Sequence, residues 1–177
     1  MQQLSLKIAA FYLVALVAFV SCYDTKSLDF GSFEIEVPKT WQPVKAKGID
    51  SHVGRIAIDK QDALFFDLGW YSNELRDEDY LFENYAGEII QPDGSLRVPE
   101  HLKRNSDVFT KIDGRNAKLV EPKKLGYGIT GVYFDSLWTG GSNNVRFQLS
   151  GHDLQPENQK AVLQAIKTLK FFRKEKD

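Results

Sequence analysis

Phe33-Glu34-Ile35-Glu36-Val37-Pro38 alternates apolar and acidic side chains and then halts at a proline. Successive side chains of a strand point to opposite faces, so this stretch predicts a strand with one buried and one wet face, the pattern of an antiparallel sheet. Working outward, residues 53–58 and 63–68 are two β-rich runs separated by Asp59-Lys60-Gln61-Asp62, which predicts a hairpin, with Leu64, Phe65 and Phe66 buried on both faces. A second hairpin is predicted from residues 108–112 and 117–120 around Asp113-Gly114. A third joins residues 129–138 to 145–150 through a glycine-rich tip. In residues 156–169, Val162, Ala165, Ile166 and Leu169 recur at spacings of three and four behind Pro156, the mark of one amphipathic helix. Strands in runs, without strand-helix alternation, give an α+β class: an antiparallel sheet of six or seven strands covered by a C-terminal helix. Residues 72–107 are acidic and then Pro/Gly-punctuated, with a short helix expected over 79–90 inside a long excursion.

Composition narrows the function classes. The chain has 177 residues, 42% apolar and 27% charged, with a formal charge of -1 and one cysteine. That is one domain with no excess of cations for a phosphate backbone, which argues against nucleic acid as a partner. A single cysteine forms no internal disulfide, so the fold rests on its core.

The position of that cysteine is informative. Residues 8–20 are apolar and follow a short polar segment with one cation, Lys7, the pattern of a signal peptide. Thirteen helical residues span about 20 Å, short of the roughly 30 Å hydrocarbon core of a bilayer. Phe19-Val20-Ser21-Cys22 follows directly and resembles a bacterial lipobox, with Phe19 where Leu is usual. The resemblance implies cleavage of residues 1–21 and a lipid (diacylglyceryl, palmitate) on Cys22, with residues 22–32 as a lipidated tether and residues 33–173 as the folded domain. Two or more acyl chains anchor a protein stably to a membrane.

Three short stretches also resemble PsbP-like domains. Phe33-Glu34-Ile35-Glu36-Val37-Pro38-Lys39-Thr40-Trp41 is similar to their opening strand, Ile112-Asp113-Gly114-Arg115-Asn116-Ala117 to their central hairpin, and Ala165-Ile166-Lys167-Thr168-Leu169-Lys170-Phe171 to their closing helix and tail. Relatives in that family include photosystem extrinsic subunits, a Ran-binding import factor and bacterial lipoproteins. They share a scaffold without a common active site, so the resemblance implies binding or assembly and carries no catalytic residue. The blocks at residues 48–54 and 67–72 resemble secreted lipoproteins.

Candidate sites follow from residue types. Asp50, Ser51 and His52 adjoin one another, but neighbours in an extended segment face opposite ways, so they form a turn rather than a relay. His52, His101 and His152 lack any metal-ligand spacing, and Glu74, Asp77, Glu78, Asp79 and Glu83 lack the alternation of a calcium loop, so no metal or cofactor is indicated. Those acids suit a solvated helix start. Trp41, Trp70, Tyr71, Tyr133 and Trp138 could line a groove that stacks on sugar rings or grips a peptide, but 12% aromatics in a β-rich domain call for many buried rings, which favours core packing for them. The expected ligand surface is Asp50, His52, Asp67, Trp70 and Tyr71, because Gly69-Trp70-Tyr71-Ser72 ends a strand. The expected function is a nonenzymatic envelope lipoprotein, anchored to a bacterial membrane facing periplasm or exterior, that binds a protein partner or small ligand. A hydrolase of envelope glycan or lipid is the alternative, with Asp50 and Asp67 as the first carboxylate pair, and a structural subunit of an envelope complex is the third reading.

Overall fold

A computed structural model describes residues 24–78, 81, 87–140 and 143–173. The expected leader and Cys22 lie outside the described residues, as does most of the helix expected over 79–90, of which residues 81 and 87–89 are helical.

The chain is α+β with antiparallel sheets. Seven strands form the larger one: β3 (Gln42–Lys45), β4 (His52–Ala57), β5 (Ala63–Gly69), β6 (Asn105–Ile112), β7 (Arg115–Pro122), β8 (Ile129–Gly140) and β9 (Asn143–His152), in the order β3-β4-β5-β9-β8-β7-β6. A smaller sheet has the order β1-β2-β10, from β1 (Thr25–Asp29), β2 (Phe33–Pro38) and β10 (Lys170–Phe171). The helix α1 (Pro156–Ile166) precedes β10, and a single 3-10 turn spans Glu100–Leu102 before β6.

Among the described residues, ten strands in two sheets replace the expected six or seven in one. The additions are β1, β3 and β10, each too short or too polar to show periodicity. The strand β1 falls inside the expected tether: only Leu28 is buried, yet Thr25 to Asp29 pair in full with Pro38 to Glu34. Order therefore begins before residue 33.

Each expected hairpin forms. In the β4–β5 loop, Asp59 Oδ1 accepts hydrogen bonds from the amides of Gln61 and Asp62, both at 2.8 Å, and these bonds hold its carboxyl below the usual carboxylate range. Asp62 is buried and its Oδ2 accepts from Gln155 N at 2.8 Å and Asn158 Nδ2 at 2.7 Å. The hairpin thus caps α1, whose Gln155 offers no side-chain cap, with a carboxylate at the positive end of the helix dipole. The β6–β7 turn has Asp113 at φ 50° and Gly114 at φ 72°, the two left-handed residues of a type I′ turn. Thr168 closes α1 by donating to Ala165 O at 2.7 Å and accepting from Glu36 N at 2.8 Å, which ties the helix end to β2.

The main core lies between the two sheets and α1. Ile35 and Val37 of β2 meet Val162, Ala165 and Ile166 of α1 and the inward residues Leu64, Phe66, Leu119, Val132, Phe134, Phe147 and Leu149 of the large sheet. At its centre Phe33 stacks on Phe30, with ring centroids 4.8 Å apart, and meets Phe66 and Phe147 edge-on at 4.9 Å. Phe171 joins the same group through Phe134 at 4.9 Å and Phe147 at 5.1 Å. Phe65 departs from the expectation of burial on both faces. It is 51% exposed on the outer face of the sheet, with the Arg55 guanidinium 5.2 Å from its ring centroid.

Candidate functional site

The outer face of the large sheet carries a row of side chains that strand order alone assembles. Val53 pairs with Asp67, Asp67 with Gln148, Gln148 with Tyr133, Tyr133 with Lys118 and Lys118 with Phe109, so these six residues form one lane across β4, β5, β9, β8, β7 and β6. Directly opposed residues share a face, and the core-facing neighbours Phe66, Phe134 and Phe147 show that this lane faces away from the core.

The excursion between β5 and β6 folds over the far end of this lane. Asn73 Oδ1 accepts from Leu75 N at 2.6 Å, and this turn holds Leu75 at φ 56°, a strained conformation for a leucine. The strain is offset by burial of Leu75 against Val120, Ile129 and Tyr133. Gly131 provides the gap: a β-carbon there would lie 2.6 Å from Leu149 O and 3.0 Å from Leu75 Cδ1. Because one of those contacts is backbone, Gly131→Val should lower stability by about 1–3 kcal/mol and release Leu75 from the sheet. Chemical denaturation with hydrogen exchange at residues 74–78 measures both effects. A variant as stable as the parent, with unchanged exchange, would refute this seating.

Between the excursion and the sheet is a cleft of about 740 Å³, floored by Lys118 and Tyr133, with Phe109 at its rim, and walled by Glu74, Asp77, Glu78, Val98, Glu100 and Lys103. Burial, and next the Asp135 carboxylate that accepts its hydroxyl hydrogen at 3.0 Å, push the Tyr133 phenol upward, so it remains a donor. Burial also raises Asp77, against the lowering effect of its hydrogen bonds from Asn105. Glu100 is the opposite case: Lys103 first and then Lys123, each 2.8 Å away, lower its carboxyl to about 2.

The cleft cations are internally matched. Lys103 and Lys123 share Glu100, Lys118 lies 3.9 Å from Asp107, and Arg76 lies 3.8 Å from Glu74. Across the lane, Arg146 lies 3.4 Å from Asp135. The cleft therefore presents donors and acceptors of both kinds rather than a bare field of one sign. Among the described residues its lining contains no histidine, serine, threonine or cysteine.

The residues singled out in the sequence occupy a different end of the sheet. Ser51 and Asp67 are neighbours, since a β-carbon on Gly69 would lie 2.6 Å from Ser51 Cβ and 3.5 Å from Asp67 Oδ1. Asp50 precedes them in an exposed bend. His52 takes the opposite face of β4, beside the core, with its ring 5.4 Å from that of Phe66. Asp67 and His52 are therefore separated by the sheet itself. Trp70 and Tyr71 are 45% and 80% exposed at the end of β5, with Trp70 Nε1 3.5 Å from where a β-carbon on Gly140 would sit.

The five aromatics likewise do not share one groove. Trp41 is buried in the core, Trp138 packs against that core, and Tyr133 lies on the outer face. Of the acidic cluster, Glu74, Asp77 and Glu78 wall the cleft, while Asp79 and Glu83 lie outside the described residues. Among the described residues, no three His, Cys, Asp or Glu side chains are grouped to hold a metal ion, and no helix is long and apolar enough to cross a membrane. No protein-family model matches this sequence, and none of the curated proteins matches it.

Proposed function

We propose that this chain is a nonenzymatic envelope lipoprotein, anchored through lipid on Cys22, whose PsbP-like domain, with α1 laid over the core side of the sheet, holds a polar ligand in the outer-face cleft. The observation that carries the binding role is the cleft itself: about 740 Å³, with each cation already matched to a carboxylate and an exposed ring, Phe109, at its rim. Such a surface suits an uncharged ligand with many hydroxyls and one flat face, as in the sugar rings of envelope glycan. Tyr133, Asp135 and Asn116 supply hydrogen bonds from strands that the core holds rigid.

Calorimetric titration of soluble envelope glycan fragments into the full chain tests this reading. Tyr133→Leu and Asp135→Ala should each weaken binding about tenfold, which corresponds to about 1.4 kcal/mol. Absence of binding, or binding that both variants leave unchanged, would sink it.

The anchor is tested separately. Metabolic labelling with palmitate should mark the parent chain and vanish in Cys22→Ser, whereas undiminished labelling of the variant would place the lipid elsewhere.

A further inference from the structure

The large sheet ends in two unlike edges. At one end β3 has four residues, and Pro43 interrupts its line of amides. At the other end β6 runs for eight residues without a proline. Its six central residues are exposed, with Val108 at 50% and Phe109 at 80%. Among the described residues β7 is its only strand partner.

The backbone of β6 has a defined parity. The two-residue turn at Asp113-Gly114 makes Ile112 and Arg115 a hydrogen-bonded pair, and pairing then alternates without a bulge back to Asn105 and Pro122. The N–H and C=O groups of Ile112, Thr110, Val108 and Ser106 therefore point to β7. Those of Lys111, Phe109, Asp107 and Asn105 point to the open edge.

We propose that two copies of this chain pair β6 against β6, antiparallel, about a two-fold axis through Phe109. Parity permits axes centred on residues 107, 108, 109 or 110, and charge separates them. An axis on Asp107 opposes two carboxylates, and one on Thr110 sets Asp107 against Asp113. An axis on Val108 leaves Lys111 facing Asn105 and Asp107 facing Phe109. With the axis on Phe109, Asp107 of each copy faces Lys111 of the other, twice over, and the two Phe109 rings adjoin.

The lane from Asp67 through Gln148, Tyr133, Lys118 and Phe109 then continues into its symmetry mate on the same side of the joined sheet. The two clefts meet at their Phe109 rims. The contact is small, so the dimer is weak. Tyr133 and Asp135, which test the cleft, lie away from this edge, and failure of either idea leaves the other standing.

Carbodiimide coupling of full-length chain, mixed from unlabelled and nitrogen-15-labelled stocks, tests the pairing. Asp107 and Lys111 of one chain stand about 13 Å apart along an extended strand, so a link between them forms only between copies. The expected product is a mixed-isotope Asp107–Lys111 peptide, with the intrachain Asp107–Lys118 link as a reaction control.

In light scattering up to about 1 mM, where a weak contact of this size should associate, Asp107→Lys and Lys111→Asp should each lower the association constant at least tenfold. The double exchange should restore it, with circular dichroism confirming that all three variants fold. A monomer throughout this range, a dimer indifferent to either single change, or interchain links from Asp107 only to other lysines would each overturn the proposal.

Discussion

Phe33→Ala should lower the unfolding free energy by about 3–5 kcal/mol, a third or more of the stability of an ordinary domain. Phe33 is fully buried, and its ring is shared among Phe30 beside β2, Phe66 of β5, Phe147 of β9 and, at 6.3 Å, Phe171 of β10. It is the point at which the three-stranded sheet is fastened to the seven-stranded one. Deleting the ring removes its transfer free energy and leaves a cavity that two sheets and a helix cannot close by shifting one element. Phe65→Ala supplies the comparison, because the same side chain two residues after Ala63 is half exposed and should cost under about 1 kcal/mol. Urea denaturation with an unchanged slope measures both. Equal losses in the two variants would mean that the Phe33 cluster does not join the sheets as described.

That contrast also marks what could be read before the fold was known. The alternation at Phe33, Ile35 and Val37 is a one-dimensional signal and specifies a face, and Asp113-Gly114 specifies its own turn through the φ values it tolerates. Phe65 carries no such signal, because an apolar run cannot show which of its members points outward. The strand β1 was illegible for a related reason: its order comes from pairing with β2, not from its own composition. The lane from Asp67 to Phe109 is invisible in sequence, since its members come together only through the order β5-β9-β8-β7-β6 and a register shared by four pairings. Trp70 and Tyr71, expected in a ligand surface because they end a strand, are exposed, but the cleft lies farther along the sheet under an excursion with no period to read. Two clues to that excursion were present. Asn73 two residues before Leu75 is a side-chain turn, and Gly131 inside a strand signals close approach by another segment.

Asn105→Ala should detach the wall of the cleft at a cost of about 2–4 kcal/mol, and the cost should depend on pH. Asn105 is buried at the start of β6 and makes three hydrogen bonds, two to Asp77 and one to Ile129. Its side-chain amide donates to Asp77 Oδ1, its backbone N donates weakly to Asp77 Oδ2 at 3.5 Å, and its Oδ1 accepts from Ile129 N at 2.7 Å. Gly128, at φ 139°, leaves the space this requires, as a β-carbon there would stand 2.5 Å from Asn105 Oδ1. Alanine leaves the Ile129 amide without its acceptor and a half-buried carboxylate without its strongest donor, and each buried polar group so stranded costs about 1–3 kcal/mol.

The sign of the pH effect follows from Asp77. Burial raises its folded pKa above the ordinary value of an aspartate, so its contribution to stability is fully present below that ordinary value and is lost as pH rises through the raised one. The two hydrogen bonds from Asn105 partly counter the rise. Alanine keeps the backbone bond and loses the side-chain one, so the folded pKa climbs further, and the destabilisation by Asn105→Ala should be smaller near pH 3.5, where Asp77 is largely protonated in both chains, than at pH 7. Glu100 changes stability in the opposite sense, its contribution fading as pH falls from 4.5 toward about 2, but it is common to both chains and cancels in their difference. Asp77→Asn keeps an acceptor for Asn105 and sheds the charge, so at pH 7 it should be at least as stable as the parent. An Asn105→Ala penalty that is flat from pH 3.5 to 7, or a strongly destabilised Asp77→Asn, would show that the cleft wall is held by something other than this carboxylate and its amide.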